Sequence, residues 1–222
     1  MYIPKIDVKL MFDSLPFVLS GLKYTIGLSV ASFFLGNVLG LVLTVFGMTK
    51  SKILQYFVRF YVSFLRGVPA LVLLFLLYFG LPIQLSALVA SIICFTLSSS
   101  AFICEIYRGA ILGVPFEQWD ASYSQGFTFI QSLRYIIIPQ AFRISIPALG
   151  NVAMDLVKGT SLAAMITIPD IFQKAKIVGG RTFDYMTMYV MVAIIYWLLC
   201  IGIDYLQKKL EKSLNRYINV LE

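Results

Sequence analysis

From Gly67 to Cys104 the chain runs for thirty-eight residues without a formally charged side chain. Two further uncharged runs flank it, Tyr24 to Thr49 with 26 residues and Tyr185 to Ile203 with 19. A bilayer-crossing helix takes about twenty largely apolar residues, so these runs fit a membrane and suit no water-facing surface. Composition agrees. Apolar residues make up 59% of the 222 and charged residues 13%, against about 45–50% and about 25% in soluble domains. The sequence therefore predicts an all-α, polytopic membrane protein. A soluble enzyme, a secreted disulfide scaffold and a free DNA-binding domain are excluded.

The net charge of +7 does not point to nucleic acid. Lys208, Lys209, Lys212 and Arg216 gather just past the last apolar run, and Lys50, Lys52 and Arg59 follow the first. Cations at the borders of apolar spans set membrane topology. Cys94, Cys104 and Cys200 lie in or at the ends of apolar runs without Cys-x-x-Cys spacing, and the chain has no histidine. They read as small packing residues rather than metal ligands. The first apolar run is too long and starts too late for a cleavable signal peptide, and it lacks the charged head and the small-residue cleavage site.

Five spans are expected, over approximately 17–48, 54–79, 84–107, 144–166 and 185–206, in a single transmembrane domain covering 1–222. Gly80-Leu81-Pro82 marks a turn inside the long uncharged run, which as one helix would extend about 57 Å, far beyond a bilayer. Gly36 and Gly40 make a small-xxx-small pair that either lets helices approach closely or reflects only the frequency of glycine in membrane helices. Residues 109–143 are different. These thirty-five residues mix Pro115, Glu117, Asp120, Gly126, Arg134 and Pro139 with aromatics and hold no span-length apolar run. Ten cations fall on the side of this insertion and about six on the other, counting Lys5, which predicts an external amino terminus and a cytoplasmic carboxyl terminus.

Within the insertion stand Trp119-Asp120-Ala121-Ser122-Tyr123-Ser124-Gln125-Gly126 and Ile136-Ile137-Ile138-Pro139-Gln140-Ala141-Phe142-Arg143. An acid and an alanine precede a glycine by six and five positions, and a proline follows that glycine by thirteen. This pattern resembles the coupling loop of ABC importer permeases. Phe64-Leu65-Arg66-Gly67-Val68-Pro69, Leu77-Tyr78-Phe79-Gly80-Leu81-Pro82, Glu105-Ile106-Tyr107-Arg108-Gly109 and Lys158-Gly159-Thr160-Ser161-Leu162 are similar to the polar amino acid uptake subfamily, with permeases of the histidine, glutamine, arginine and cystine type. The resemblance spans roughly residues 21–210. It departs at Asp120, Ser122 and Gly159, where the family pattern has glutamate, alanine and aspartate.

The resemblance implies the type I importer permease fold, with a cytoplasmic coupling helix between spans three and four in a bacterial plasma membrane. Its coupling residues would be Glu117, Asp120, Ala121, Gly126, Phe127, Phe129 and Pro139. A cytoplasmic ATPase dimer, a second permease chain (a copy or a close paralogue) and an external or periplasmic solute-binding protein are the implied partners, within membrane lipid. ATP and magnesium would be bound by the ATPase, and this chain would hold no cofactor. The residues support part of this independently. Glu117 and Asp120 suit the start of a short helix, Pro115 can initiate it and Gly126 can end it. A loop packed on its own spans is the other reading.

Asp155 and Lys158 lie three apart inside an apolar span and so share a helical face. Ionisable groups at membrane depth usually face a bundle interior or an aqueous route, so with Arg66, Ser98, Ser99, Thr160 and Ser161 they are candidate pathway residues. A structural ion pair, or Lys158 extending to the interface, explains them as well. Glu105 and Arg108 read first as an interfacial pair. No Gly-x-x-x-x-Gly-Lys-Ser/Thr loop is present, so ATP belongs to another chain, and no residues are assigned to catalysis. A non-transporting structural subunit or a passive channel is the competing class, and neither has an evident use for the insertion.

Overall fold

The structure, a computed structural model, describes residues 6–214. Lys5 and Arg216, both counted in the charge bias, lie outside the described residues. Helix α1 (Val8–Leu19) is capped by Asp7, whose side chain accepts from Leu10 N at 2.9 Å. The Asp7 amide donates to Thr187 Oγ1 at 3.0 Å and fastens this end to the last helix. The chain breaks at Ser20-Gly21 before α2 (Leu22–Met48), so the segment expected over 17–48 is not one helix. The break has a packing cause. Gly21 lies so close to the Asp170 backbone that any side chain at 21 would overlap it.

Helices α3 (Lys52–Gly67) and α4 (Ala70–Phe79) together fill the span expected over 54–79, but they meet at 102°. Pro69 lacks the amide that would continue the helix and holds Val68 extended at φ −89°, ψ 129°. Helix α3 is strongly amphipathic. Val58, Val62 and Leu65 are buried, while Ile53, Phe57, Phe60 and Phe64 face outward.

Helix α5 (Ala87–Leu112) begins at Ser86, which accepts from Val89 N at 3.3 Å. It is the centre of the bundle, in contact with α2, α3, α4 and α8. Its contact with α2 is the largest, and the Gly36/Gly40 pair makes it close. A methyl at Gly40 would come within 2.8 Å of Ile103 Cγ2, and one at Gly36 would overlap Ser99. Polar groups tie the same seam. Thr44 Oγ1 donates to Gly40 O at 2.8 Å and lies 3.2 Å from Cys104 O, and Tyr107 donates to Asn37 Oδ1 at 2.7 Å.

The insertion forms α6 (Phe116–Ser124) and α7 (Phe129–Ser132). After α7 the helix does not stop. A π segment, Leu133–Ile137, leads directly into α8 (Ile138–Gly159) and a 3-10 stretch, Thr160–Ile166. The expected boundary at 143/144 therefore falls inside one helical column of 38 residues, Phe129–Ile166. Pro139 explains the π segment. It has no amide to give, and its ring crowds the carbonyl four residues back, so the preceding turn widens and Ile138 N bonds to Leu133 O instead.

Helices α9 (Ile171–Thr182) and α10 (Tyr185–Leu214) close the bundle. They bury Val18, Ile171, Ala175, Met188 and Met191 with α1 in a second cluster, apart from the core of Leu28, Leu74, Cys94, Ala101 and Ile166. Among the described residues, α2, α5, the Phe129–Ile166 column and α10 are long and apolar enough to cross a membrane, and the bent α3–α4 pair makes a fifth crossing if taken together. The architecture is that of a polytopic all-α membrane protein.

Candidate functional site

Helix α6 stands at the end of the bundle where α5 and the column leave it. Pro115 precedes it and Glu117 lies in its first turn. Gly126 ends it in the left-handed region at φ 81°. The Gly126 amide donates to Tyr123 O at 2.9 Å and the Phe127 amide to Ser122 O at 3.1 Å, the paired bonds of a Schellman stop. Among the described residues nothing lies within 4 Å of where a Gly126 side chain would point. The glycine is required by the backbone angle, not by crowding.

The chain then restarts. Thr128 and Gln131 form a capping box for α7, with Thr128 N donating to Gln131 Oε1 at 2.8 Å. Trp119 stacks on Phe129 with centroids 5.7 Å apart, the Ser122 hydroxyl donates to that of Ser132 at 2.7 Å, and Gln140 Nε2 donates to Gln118 Oε1 at 3.0 Å. These contacts lock α6 onto the column. Glu117, Asp120 and Ala121 are exposed, as are Phe116, Phe129 and Ile130. Phe127 is only marginally so, and Phe129 gives one ring face to Trp119. Pro139 lies in the column rather than in the loop.

The seven candidate pathway residues are not one cluster. Asp155 shares a cavity of about 150 Å³ with Ser98, Ser99 and Gly159, between α5 and the column. The Ser98 hydroxyl there is buried without a hydrogen-bond partner among the described residues. Lys158 Nζ is 2.8 Å from Asp155 Oδ1, and both side chains are more than half exposed on this single chain. Thr160 is fully buried and donates to Val157 O, and Ser161 donates to Lys158 O, so both hydroxyls serve the 3-10 turn instead of the cavity. Arg66 lies apart. It covers the Phe102 ring at 5.3 Å and lines a larger cavity near Glu105 and Arg108. The Glu105–Arg108 pair forms as expected, at 3.1 and 2.6 Å.

One polar centre escaped the sequence reading. Asp170 caps α9, accepting from Gln173 N at 2.8 Å, and Tyr196 of α10 donates to its other oxygen at 3.2 Å. It is fully buried. Burial pushes its carboxyl up to about 6, against the pull of these hydrogen bonds. The Asp170-x-x-Gln173 spacing is a capping signal present in the sequence.

A bundle of apolar helices with one bent pair and a short capped helix projecting from one end is the architecture of type I ABC importer permeases. Comparison with known proteins gives the family. Residues 36–216 match the profile of the binding-protein-dependent transport system inner membrane component. The chain belongs to this family and is a multi-pass transport subunit of a bacterial inner membrane. It is 47% identical to the "Probable amino-acid ABC transporter permease protein YckA" of Bacillus subtilis (strain 168), over 96% of this chain and 95% of that protein. It is 38% identical to the "L-cystine transport system permease protein TcyB" of the same organism, over 91% and 88%. A crystal structure of an amino acid ABC transporter with histidines superposes with a TM-score of 0.90 at 30% identity, covering 95% of this chain and all of that one. The MetNI methionine ABC transporter, facing inward, shares the fold at a TM-score of 0.74 and 21% identity.

Proposed function

We propose that the chain carries polar amino acids inward as one of two permease subunits, with α6 as the element that a cytoplasmic ATPase pair moves and an external binding protein as the source of substrate. The observation that carries this reading is the continuity between α6 and the pathway candidates. Helix α6 is clamped to α7 by the Trp119–Phe129 stack, and the same column carries Asp155 and Lys158 into the bundle. A projection built to transmit force has this form, and a passive channel has no use for it. The relatives named for amino acid transport support the substrate class.

In this scheme Glu117, Asp120 and Ala121 present the exposed face of α6 to the ATPase, Gly126 sets where the helix stops, and Phe127 and Phe129 shape its flank. Pro139 fixes the π turn that aims the column. Asp155 and Lys158 offer an acid and a base to the two charges of a zwitterion, beside the hydroxyls of Ser98 and Ser99. ATP binding by the partner favours one permease state and hydrolysis the other, and only a difference in affinity between the two states moves the equilibrium. The carboxyl terminus and the insertion face the cytoplasm, and the amino terminus and α9 face outward.

The test is uptake of radiolabelled amino acids into vesicles holding the permease, its ATPase and its binding protein. Uptake that needs ATP and stops when Phe129 and Ile130 become Asp supports the reading, and flux without ATP overturns it. Orientation is read separately. In a cysteine-free background, Phe183→Cys should react with an impermeant reagent outside intact cells and Gln125→Cys should not.

A further inference from the structure

The cavity between α2, α3 and α5 is unlike the small cleft at Asp155. It encloses about 610 Å³. Its walls come from the last turns of α2 and α5 at the insertion end, where the chain passes from apolar to polar surroundings. Three arginines and one glutamate face it: Arg59 and Arg66 from α3, Arg108 and Glu105 from α5. Both oxygens of Glu105 are taken by Arg108, through Nε at 3.1 Å and Nη2 at 2.6 Å. Arg59 and Arg66 have no carboxylate partner among the described residues, so the cavity keeps two uncompensated positive charges.

Arg59, Ser63 and Arg66 are spaced four and three apart and share one face of α3, about 10 Å from end to end by helical rise. The arrangement offers two guanidiniums with a hydroxyl between them, which matches the oxygens of a phosphate. Leu43, Met48, Val58, Val62 and Leu112 supply an apolar wall, with Thr44 and Gln55 as the further polar side chains. Beside it on α3, Tyr56, Phe57 and Phe60 face outward, as aromatic residues do at a membrane–water boundary. An amino acid fits this lining poorly, because its ammonium group would find no unoccupied carboxylate. An anion with a long apolar tail fits it well. Basic pockets between membrane helices hold anionic lipid head groups, and Lys50 and Lys52 stand at the start of α3.

We infer that this cavity seats an anionic phospholipid, with its phosphate between Arg59 and Arg66 and an acyl chain along the apolar wall. The site is separate from the substrate pathway and requires only that the chain span a bilayer.

The full chain, purified with its ATPase, is equilibrated with mixed micelles of phosphatidylglycerol and phosphatidylcholine, repurified and weighed by native mass spectrometry. Two basic groups near an anionic surface favour phosphatidylglycerol by roughly fivefold each and about thirtyfold together. Retention of one lipid per permease at about that preference, lost in Arg59→Gln/Arg66→Gln and kept in Lys174→Gln/Lys176→Gln at the far end, supports the site. Equal retention of the two lipids, or unchanged retention in the arginine variant, overturns it. If millimolar inorganic phosphate displaces the lipid and is itself bound, the site takes a free anion and the lipid assignment fails. Should the double variant not give monodisperse protein, exposed Arg59→Gln alone supplies the comparison, with a loss of about fivefold expected and no loss overturning the site.

Discussion

Tyr196 donates its phenolic hydrogen to Asp170 at 3.2 Å, joining the first residue before α9 to the middle of α10 in a place without solvent. The carboxyl, raised to about 6 by burial, holds its proton longer in the folded chain than in the unfolded one. The folded state is therefore favoured below the unfolded value of about 4 and loses that advantage as pH rises through about 6. Asp170→Asn keeps the acceptor for Gln173 and removes the charge. Relative to the parent, the variant should gain roughly 2 kcal/mol between pH 4 and pH 7. Thermal melting of detergent-purified protein across that range checks this, and parallel curves would reject it.

At Gly126 the structure separates conformational strain from crowding. With φ at 81° and open space around the α-carbon, Gly126→Ala should cost about 1 kcal/mol and Gly126→Asn less, because asparagine tolerates left-handed backbone. Gly126→Val should be the worst of the three. Co-purification of the ATPase at equal membrane abundance should fall in the order Asn, Ala, Val, and a flat series would remove this glycine from the coupling element.

Gly40 and Gly27 lie on one helix with opposite surroundings. A side chain at 40 meets Ile103, whereas at 27 none of the described residues lies within 4 Å. Gly40→Val should destabilise by about 1–3 kcal/mol through overpacking, and Gly27→Ala should be neutral or stabilise by up to ~1 kcal/mol through helix propensity. Denaturation in mixed micelles distinguishes the two.

Lys158 and Asp155 pair at 2.8 Å with both side chains largely exposed. Exposed pairs contribute about 0–1 kcal/mol, so Lys158→Met should leave the melting temperature near that of the parent. Amino acid uptake should nevertheless drop at least tenfold if the ammonium group meets substrate. A large loss of stability with proportional loss of uptake would make the pair structural.

Much of the bundle was legible because membrane helices announce themselves through uncharged length. The Gly67–Cys104 run placed α4 and α5, and the charge change after Arg108 located the insertion. Glu117, Gly126 and their spacing foretold α6 because caps and stops are local chemistry. What stayed hidden was set by tertiary contact. Pro69 fell inside a single expected span over 54–79 that in fact bends by 102°, and Pro139 was placed with the coupling loop where it widens a continuing helix. Thr160 and Ser161 looked like pathway hydroxyls because sequence shows polarity and not direction. Asp170 was passed over because only α10 and Gly21, far away in sequence, reveal its burial.

The column from Phe129 to Ile166 has 38 residues, a contour of about 57 Å at helical rise, close to twice the ~30 Å of bilayer hydrocarbon. Its outer part therefore stands in water whatever its tilt. Along this length the ladder of backbone hydrogen bonds changes pitch at Leu133–Ile137 and again at Thr160. Those two places are the compliant joints of an otherwise stiff rod. Between Phe129 and Asp155 the column holds just one of the two, so the path from the exposed end of the rod to the cleft crosses a single change of pitch.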